Sequence, residues 1–425
     1  MNHKLRFAAA AALCVLFAPV LAADLPMESP ENVGVSPERL QRVTDTMQRY
    51  IDEDLLAGTI TLLARDGKVI HLESQGWRHR EAGEEMTEDS IFVIMSMTKP
   101  IVSTALMMLY EEGRFLLTDP ITDWVPELAD KKVIVRDEFG TRRVPPARPV
   151  TIRDVLAHTA GVDPNRADLS EAEQQLLGRA ATLEETIVQR APLPLDFHPG
   201  DEWRYGSSTD YVALLVERVS GQPLREFLRE RIFEPLQMND THYIVPADKV
   251  NRVAAVYSPS DPERTVELMR APEYRDTTYF GGVAGLSSTI SDYWRFGQMI
   301  LNGGEHDGVR LLSPKTVSLM ISNHTGDKDI YVRGPGYYFG LGFGVLDDAG
   351  VSRDPLTPGS FTWGGAWGTL FWADPVENMV GILMTQISSY GHINVRNDFG
   401  VTAMQSIVDS YAARPYTVAP YPVLD

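Results

Sequence analysis

Apolar residues recur every three to four positions between residues 36 and 52. Leu40, Val43, Met47, Tyr50 and Ile51 fall on one side of a helix. Ser36 is a good cap, and Pro37 fits the first turn, where no N–H is needed. The period then changes to two. Thr59 to Ala64 and Lys68 to Glu73 read as strands, and Asp66-Gly67 between them predicts a hairpin. A helical period returns at Ser96, with Ile101, Ala105, Met108 and Leu109 inward and Gly113 as the stop. Pro100 has no N–H to donate and belongs in the first turn, so Ser96 stands at the N-terminal end.

Residues 133–150, with Pro145, Pro146 and Pro149, predict a turn-rich hairpin or excursion. A short helix follows at Thr151 to Ala157, and 170–191 and 209–235 read as mostly helical. Gly281-Gly282 through Gly285 predicts a flexible approach to a helix over about 291–302. Strands at 367–373 and 379–385 flank Asp374-Pro375-Val376-Glu377-Asn378. A last helix is expected over roughly 394–412, with Val395, Phe399, Met404, Ile407 and Val408 inward. Residues 414–425 are Pro-rich and read as extended. Strands and a helix at each end, with helices between, predict one mixed α/β layer built from both ends of the chain and an inserted helical subdomain.

The 425 residues have an ordinary globular composition, 44% hydrophobic and 23% charged. The start reads as an export signal: Lys4 and Arg6, an apolar stretch from Phe7 to Val20, and a small-residue cleavage pattern at Val20-Leu21-Ala22. This predicts a signal peptide over 1–22, a single domain over 23–425, and a periplasmic or extracellular location without stable membrane insertion. Cys14, the one cysteine, falls inside that segment and is preceded by Leu13, unlike a lipoprotein site. The rest of the chain then has no thiol chemistry and no disulfide. A net charge of −19 argues against nucleic acid and anionic membranes as partners.

The chemistry is concentrated in Ser96-Met97-Thr98-Lys99. Residues three apart on a helix share a face, about 5–6 Å apart between Cβ atoms. An amine so placed can take or hold the proton of a serine nucleophile once it has lost its own. Burial and nearby positive charge favour that loss. The helix N-terminus favours developing negative charge. Nine histidines include no H-E-x-x-H, so no metal motif appears. G-x-S-x-G is absent, as are the glycine-rich motifs of nucleotide binding, and no cofactor is implied.

Ser96-Met97-Thr98-Lys99, Tyr205-Gly206-Ser207 and Trp363-Gly364-Gly365 together resemble the three motifs of the penicillin-recognising serine hydrolases. That superfamily includes class C β-lactamases, DD-peptidases and family VIII carboxylesterases. The resemblance runs from about 30 to 412. It also takes in Leu156-Ala157-His158-Thr159-Ala160-Gly161 and Gly282-Val283-Ala284-Gly285-Leu286. It implies an α+β fold, an antiparallel sheet flanked by helices. The sheet would come from about 30–80 and 335–412, and the helical subdomain from about 90–330. It implies Ser96 as acylated nucleophile, Lys99 and Tyr205 as the base system, and the N–H groups of Ser96 and Ala366 as the oxyanion hole. His158 becomes structural.

Two departures bear on substrate. Ser207 stands where lactamases usually carry asparagine. Trp363 stands where lactamases and peptidases carry a basic residue facing the substrate carboxylate. The Trp-Gly-Gly form resembles family VIII esterases. Ser207, Trp363, Gly364, Gly365 and His392 are the candidate substrate contacts. Arg396 is a candidate replacement for the missing charge. The expected activity is an exported carboxylesterase acting on a small-molecule ester through an acyl-enzyme. The alternatives are a class C-like β-lactamase acting on a lactam or a D-amino-acid peptidase or transesterase. A non-catalytic penicillin-recognising binding module is a further alternative, against which the intact Ser96, Lys99 and Tyr205 speak.

Overall fold

The computed structural model describes residues 25–412, apart from 139, 261–264 and 329. The expected signal segment and the Pro-rich tail lie outside these residues.

Eight antiparallel strands form the central sheet, in the order Tyr337–Phe339, Gly344–Leu346, Phe361–Gly364, Leu370–Asp374, Met379–Met384, Gly58–Arg65, Lys68–His79 and Glu84–Glu85. The two ends of the chain meet where Ile60 faces Met384 and Arg65 faces Met379. Strand alternation divides the side chains between two cores. Ile60, Leu62, Ala64, Val380, Ile382 and Met384 enter the core shared with the helical part. Leu63, Met379 and Leu383 enter the other, under the helices Pro37–Asp52 and Val395–Met404, which pack on each other.

Several expectations hold in position. Ser36 caps the first helix through the Arg39 N–H, and Asp66-Gly67 joins the first two long strands. The second strand runs on to His79, past the predicted end at Glu73, because the mostly polar residues 73–79 lie on a half-exposed part of the strand where no apolar alternation shows. The stretch 170–191 contains only two short helices, Glu171–Gln175 and Leu183–Gln189. The stretch 209–235 is broken at Gly221, which takes the left-handed φ of 75° that favours glycine. The last helix stops at Met404 rather than near 412. Ile407 instead bridges to Val35, and Val408 points to solvent.

A buried ion pair fastens Val33 and residues 409–411 to the sheet. Arg65 contacts the Glu377 carboxylate at 2.6 Å and also donates to the carbonyls of Val33 and Asp409. Glu377 accepts in turn from the Ser410 hydroxyl and the Tyr411 N–H.

The helical part centres on Thr98–Glu111, buried on every side from Thr98 to Leu109. It packs on Ser208–Ser220. A helix enclosed in this way holds its first turn fixed against the sheet. Among the described residues no helix is long and apolar enough to cross a membrane.

Candidate active site

Ser96 lies in a single 3₁₀ turn, Met95–Met97, that runs into the central helix. Its approach is held on one side by pairing of Phe92–Val93 with Ser287–Ser288 and by the Ile94 N–H on the Leu286 carbonyl. Met95 has a φ of +48°, uncommon for a residue with a Cβ. Strain of this kind clusters at functional sites.

Lys99 Nζ reaches Ser96 Oγ at 3.2 Å and donates to the Val283 carbonyl at 2.9 Å. The lysine is fully buried. Burial pushes its pKa down to about 7, against the upward pull of Asp210 and Asp163. Neither carboxylate belongs to a motif read from the sequence. Asp210 accepts from the N–H groups of Gly282 and Val283 and from the Tyr279 hydroxyl. The expected flexible glycine approach is therefore a fixed loop. A Cβ on Gly282 would lie 2.1 Å from the Thr209 carbonyl oxygen, so only glycine passes there.

The Tyr205 phenol accepts the Trp363 Nε1–H at 3.3 Å, and its ring lies 4.6 Å from Lys99 Nζ. His158, Trp203 and Trp363 surround it at ring distances of 5.2, 6.0 and 5.3 Å. Burial raises the Tyr205 pKa, against the opposing effects of the Ser96 and Trp363 hydrogen bonds and of Arg396. His158 is wholly buried, with its pKa lowered to about 3 by burial and then by Lys99, so its ring stays neutral.

Trp363 is the last residue but one of the strand Phe361–Gly364, with only 1% of its surface exposed. Gly365 then brings the chain against the serine turn: a Cβ there would lie 2.4 Å from the Ile94 carbonyl oxygen. This close approach sets Ala366 beside Ser96 on the wall of one cleft. Among the described residues no acceptor takes the Ala366 N–H. A cleft of about 210 Å³ is lined by Ser96, Tyr205, the segment Trp363 to Ala366, Val332, Arg333, Tyr390 and Arg396.

Ser96, Lys99, Tyr205, Trp363, Gly364, Gly365 and Ala366 are thus brought together. Ser207 and His392 are not among the lining residues. The Ser207 hydroxyl turns away to Asp163 at 2.6 Å, and His392 Nε2 is buried without a hydrogen-bond partner among the described residues. Arg396 is in the cleft, with no carboxylate partner among the described residues. Its guanidinium donates to the carbonyls of Gly365, Gly368 and Thr369. Burial lowers its pKa to about 10. Val332, Arg333 and Tyr390 carried no signal in the sequence, because they come from loops. No group of three or more His, Cys, Asp or Glu among the described residues is placed to hold a metal ion.

This fold and this cluster define a serine hydrolase of the penicillin-recognising type. The profile described as Beta-lactamase matches residues 43–399, and the chain belongs to that family. Protein Rv1367c of Mycobacterium tuberculosis is 34% identical over 357 residues, covering 80% of this chain and 88% of that protein. Esterase EstB of Burkholderia gladioli is 28% identical over 379 residues, covering 83% and 91%. The solved structure of EstCE1, described as a hydrolase with promiscuous acyltransferase activity, superposes with a TM-score of 0.72. It is 25% identical, covering 87% of this chain and 99% of that one.

Proposed function

We propose that the enzyme is a carboxylesterase that works through an acyl-enzyme on Ser96. The observation that carries this reading is the buried Lys99 amine, 3.2 Å from Ser96 Oγ, with a pKa near neutrality beside a phenol whose pKa is raised. At neutral pH the phenol keeps its proton and much of the lysine is free base. Lys99 is therefore the first acceptor, and Tyr205 is the relay.

Ser96 Oγ bonds to the acyl carbon while its proton passes to Lys99 Nζ. The N–H groups of Ser96 and Ala366 hold the oxyanion, each worth about 10²–10³ in rate. The bond from acyl carbon to alcohol oxygen then breaks. Tyr205 gives its proton to the leaving alkoxide and recovers one from Lys99. Water repeats the sequence on the acyl-enzyme and releases the acid, and a second alcohol in its place gives transesterification.

Trp363 in place of a basic residue supports ester over lactam, and similarity to an esterase supports it independently. The segment 1–22 supports action outside the cytoplasm. A second reading, a β-lactamase or D-amino-acid peptidase, is favoured by one observation: Arg396 puts in the cleft a positive charge with no carboxylate partner among the described residues. The test is hydrolysis of p-nitrophenyl butyrate and of a chromogenic cephalosporin, with mass spectrometry of Ser96. Ester turnover with an adduct that Ser96→Ala abolishes is expected. Faster cephalosporin turnover would reverse the ranking, and no turnover with no adduct would refute both readings.

A further inference from the structure

A second hollow, of about 450 Å³, is lined by chain neighbours of Ser96 and Ala366 and not by Tyr205. Met95, next to Ser96, and Trp367, next to Ala366, are two of its lining residues. Ala284 and Gly285, following the carbonyl that holds Lys99, are two more. Val93, Val245 and Val253 make part of the lining apolar.

Three arginines stand around it in a chain whose net charge is −19. Arg275 pairs with Glu273, and the Asp276 carboxylate caps the Thr277 N–H. Arg270 and Arg179 have no salt-bridge partner among the described residues. Arg270 lies over the Trp367 ring at 4.4 Å, and Arg179 over the Tyr279 ring at 4.2 Å. Arg270 is half-buried. Burial, followed by repulsion from Arg275, lowers its pKa, with Glu273 acting the other way. A bound anion would relieve both effects.

The direction of the substrate follows from the proton path, and so rests on the esterase reading. The leaving alcohol must reach the Tyr205 hydroxyl and therefore occupies the Trp363 cleft. The acyl chain then extends past Met95 and Trp367 toward Arg270. We propose that this hollow binds an anionic group at the far end of the acyl chain, making half-esters of dicarboxylic acids the preferred substrates. The apolar lining accommodates the methylenes, and the Arg270 guanidinium holds the terminal carboxylate.

The test compares kcat/KM for mono-4-nitrophenyl glutarate with that for 4-nitrophenyl valerate, which has the same chain length without the charge. The wild-type ratio is expected to be about tenfold or more, as for a charge-assisted contact. Arg270→Gln is expected to bring the ratio close to one, and raising the salt to roughly 0.5 M should shrink the wild-type ratio. Because the readout is a ratio on one enzyme, partial loss of folding cancels. Arg179→Gln, at an exposed position, should reduce the ratio less. Valerate cleavage with a wild-type ratio at or below one overturns this proposal and leaves the esterase reading standing. A ratio unmoved by both Arg270→Gln and salt does the same. Failure of the wild-type enzyme to cleave either ester overturns both.

Discussion

If neutral Lys99 starts the reaction, kcat/KM should rise with pH through about 7. Below that midpoint Lys99 holds its proton and cannot take another. The perturbation that isolates this effect is Asp210→Asn. Lys99 Nζ donates to the Val283 carbonyl at 2.9 Å, and the Val283 N–H donates to Asp210 Oδ1 at 3.0 Å. With one residue between these contacts, the two charges lie roughly 6–9 Å apart. At an effective dielectric constant of about 20, such a pair interacts by about 2 kcal/mol. That corresponds to about 1.5 pH units. Asp163 returns part of this. Its carboxyl is raised by burial and, less strongly, by Asp210, so it ionises more fully once Asp210 is neutral. The net displacement of the acid limb should be about one unit, toward lower pH.

Asparagine keeps the local structure. Its carbonyl oxygen still accepts the Gly282 and Val283 N–H groups, and its amide can face the Tyr279 oxygen. The assay is kcat/KM for p-nitrophenyl butyrate across roughly pH 5 to 9, each profile scaled to its own plateau. An acid limb that stays in place or moves upward in the variant, or a wild-type profile flat from about pH 6 to 8, would refute Lys99 as the titrating base.

Lys99→Met should abolish turnover and stabilise the fold. The lysine pKa is about 7 in the native protein against an ordinary 10.5, so its burial penalty is fully present below pH 7 and fades as pH rises toward 10.5. Removing that penalty is worth on the order of 4 kcal/mol at pH 7, read as a higher Tm. Gly365→Ala would put a Cβ 2.3 Å from Thr369 Oγ1, which must push the Ala366 N–H away from the serine turn. A fall of about 10²–10³ in kcat is expected, with a much smaller change in Tm. Arg65→Ala leaves Glu377 buried without its cation, and denaturant unfolding should show a loss of about 3–5 kcal/mol. Pairing Arg65→Met with Glu377→Leu should recover much of it.

The long amphipathic helix at 37–52, the Asp-Gly hairpin and the nucleophile helix were legible because each repeats its period over two or more turns or pleats. Short strands of the central sheet were not. Tyr337–Phe339, Gly344–Leu346 and Phe361–Gly364 have three or four residues each, and Phe361, Thr362 and Trp363 are all buried, so no alternation shows. The site was legible where residues are chemically rare in combination: a serine, a lysine and a tyrosine in motif order. It was not legible where ordinary residues act at a distance. Asp163 precedes a proline and reads as a turn, and Asp210 reads as a polar position on a helix. Only folding brings their charges near Lys99. The 281–285 glycines show the same limit. Composition predicted freedom, while the structure uses the missing Cβ atoms for close approach.

Arg396 shows how one position can change what its neighbour requires. With tryptophan at 363, the strand offers Tyr205 an N–H donor instead of a charge. The positive charge in the cleft comes from a helix, and it reaches over Gly364 only because that residue has no Cβ, which would lie 2.8 Å from the guanidinium carbon. Once there, its Nε and one terminal nitrogen are spent on three carbonyls of the turn that carries Ala366. A substrate carboxylate entering this cleft would have to draw the guanidinium off those carbonyls or make do with the remaining nitrogen. A neutral ester asks for neither, and the turn that positions the oxyanion donor stays supported. On this arrangement the arginine supports the catalytic backbone first. Arg396→Met should therefore lower ester turnover through kcat, whereas an anion-binding role would appear in KM and only for charged substrates.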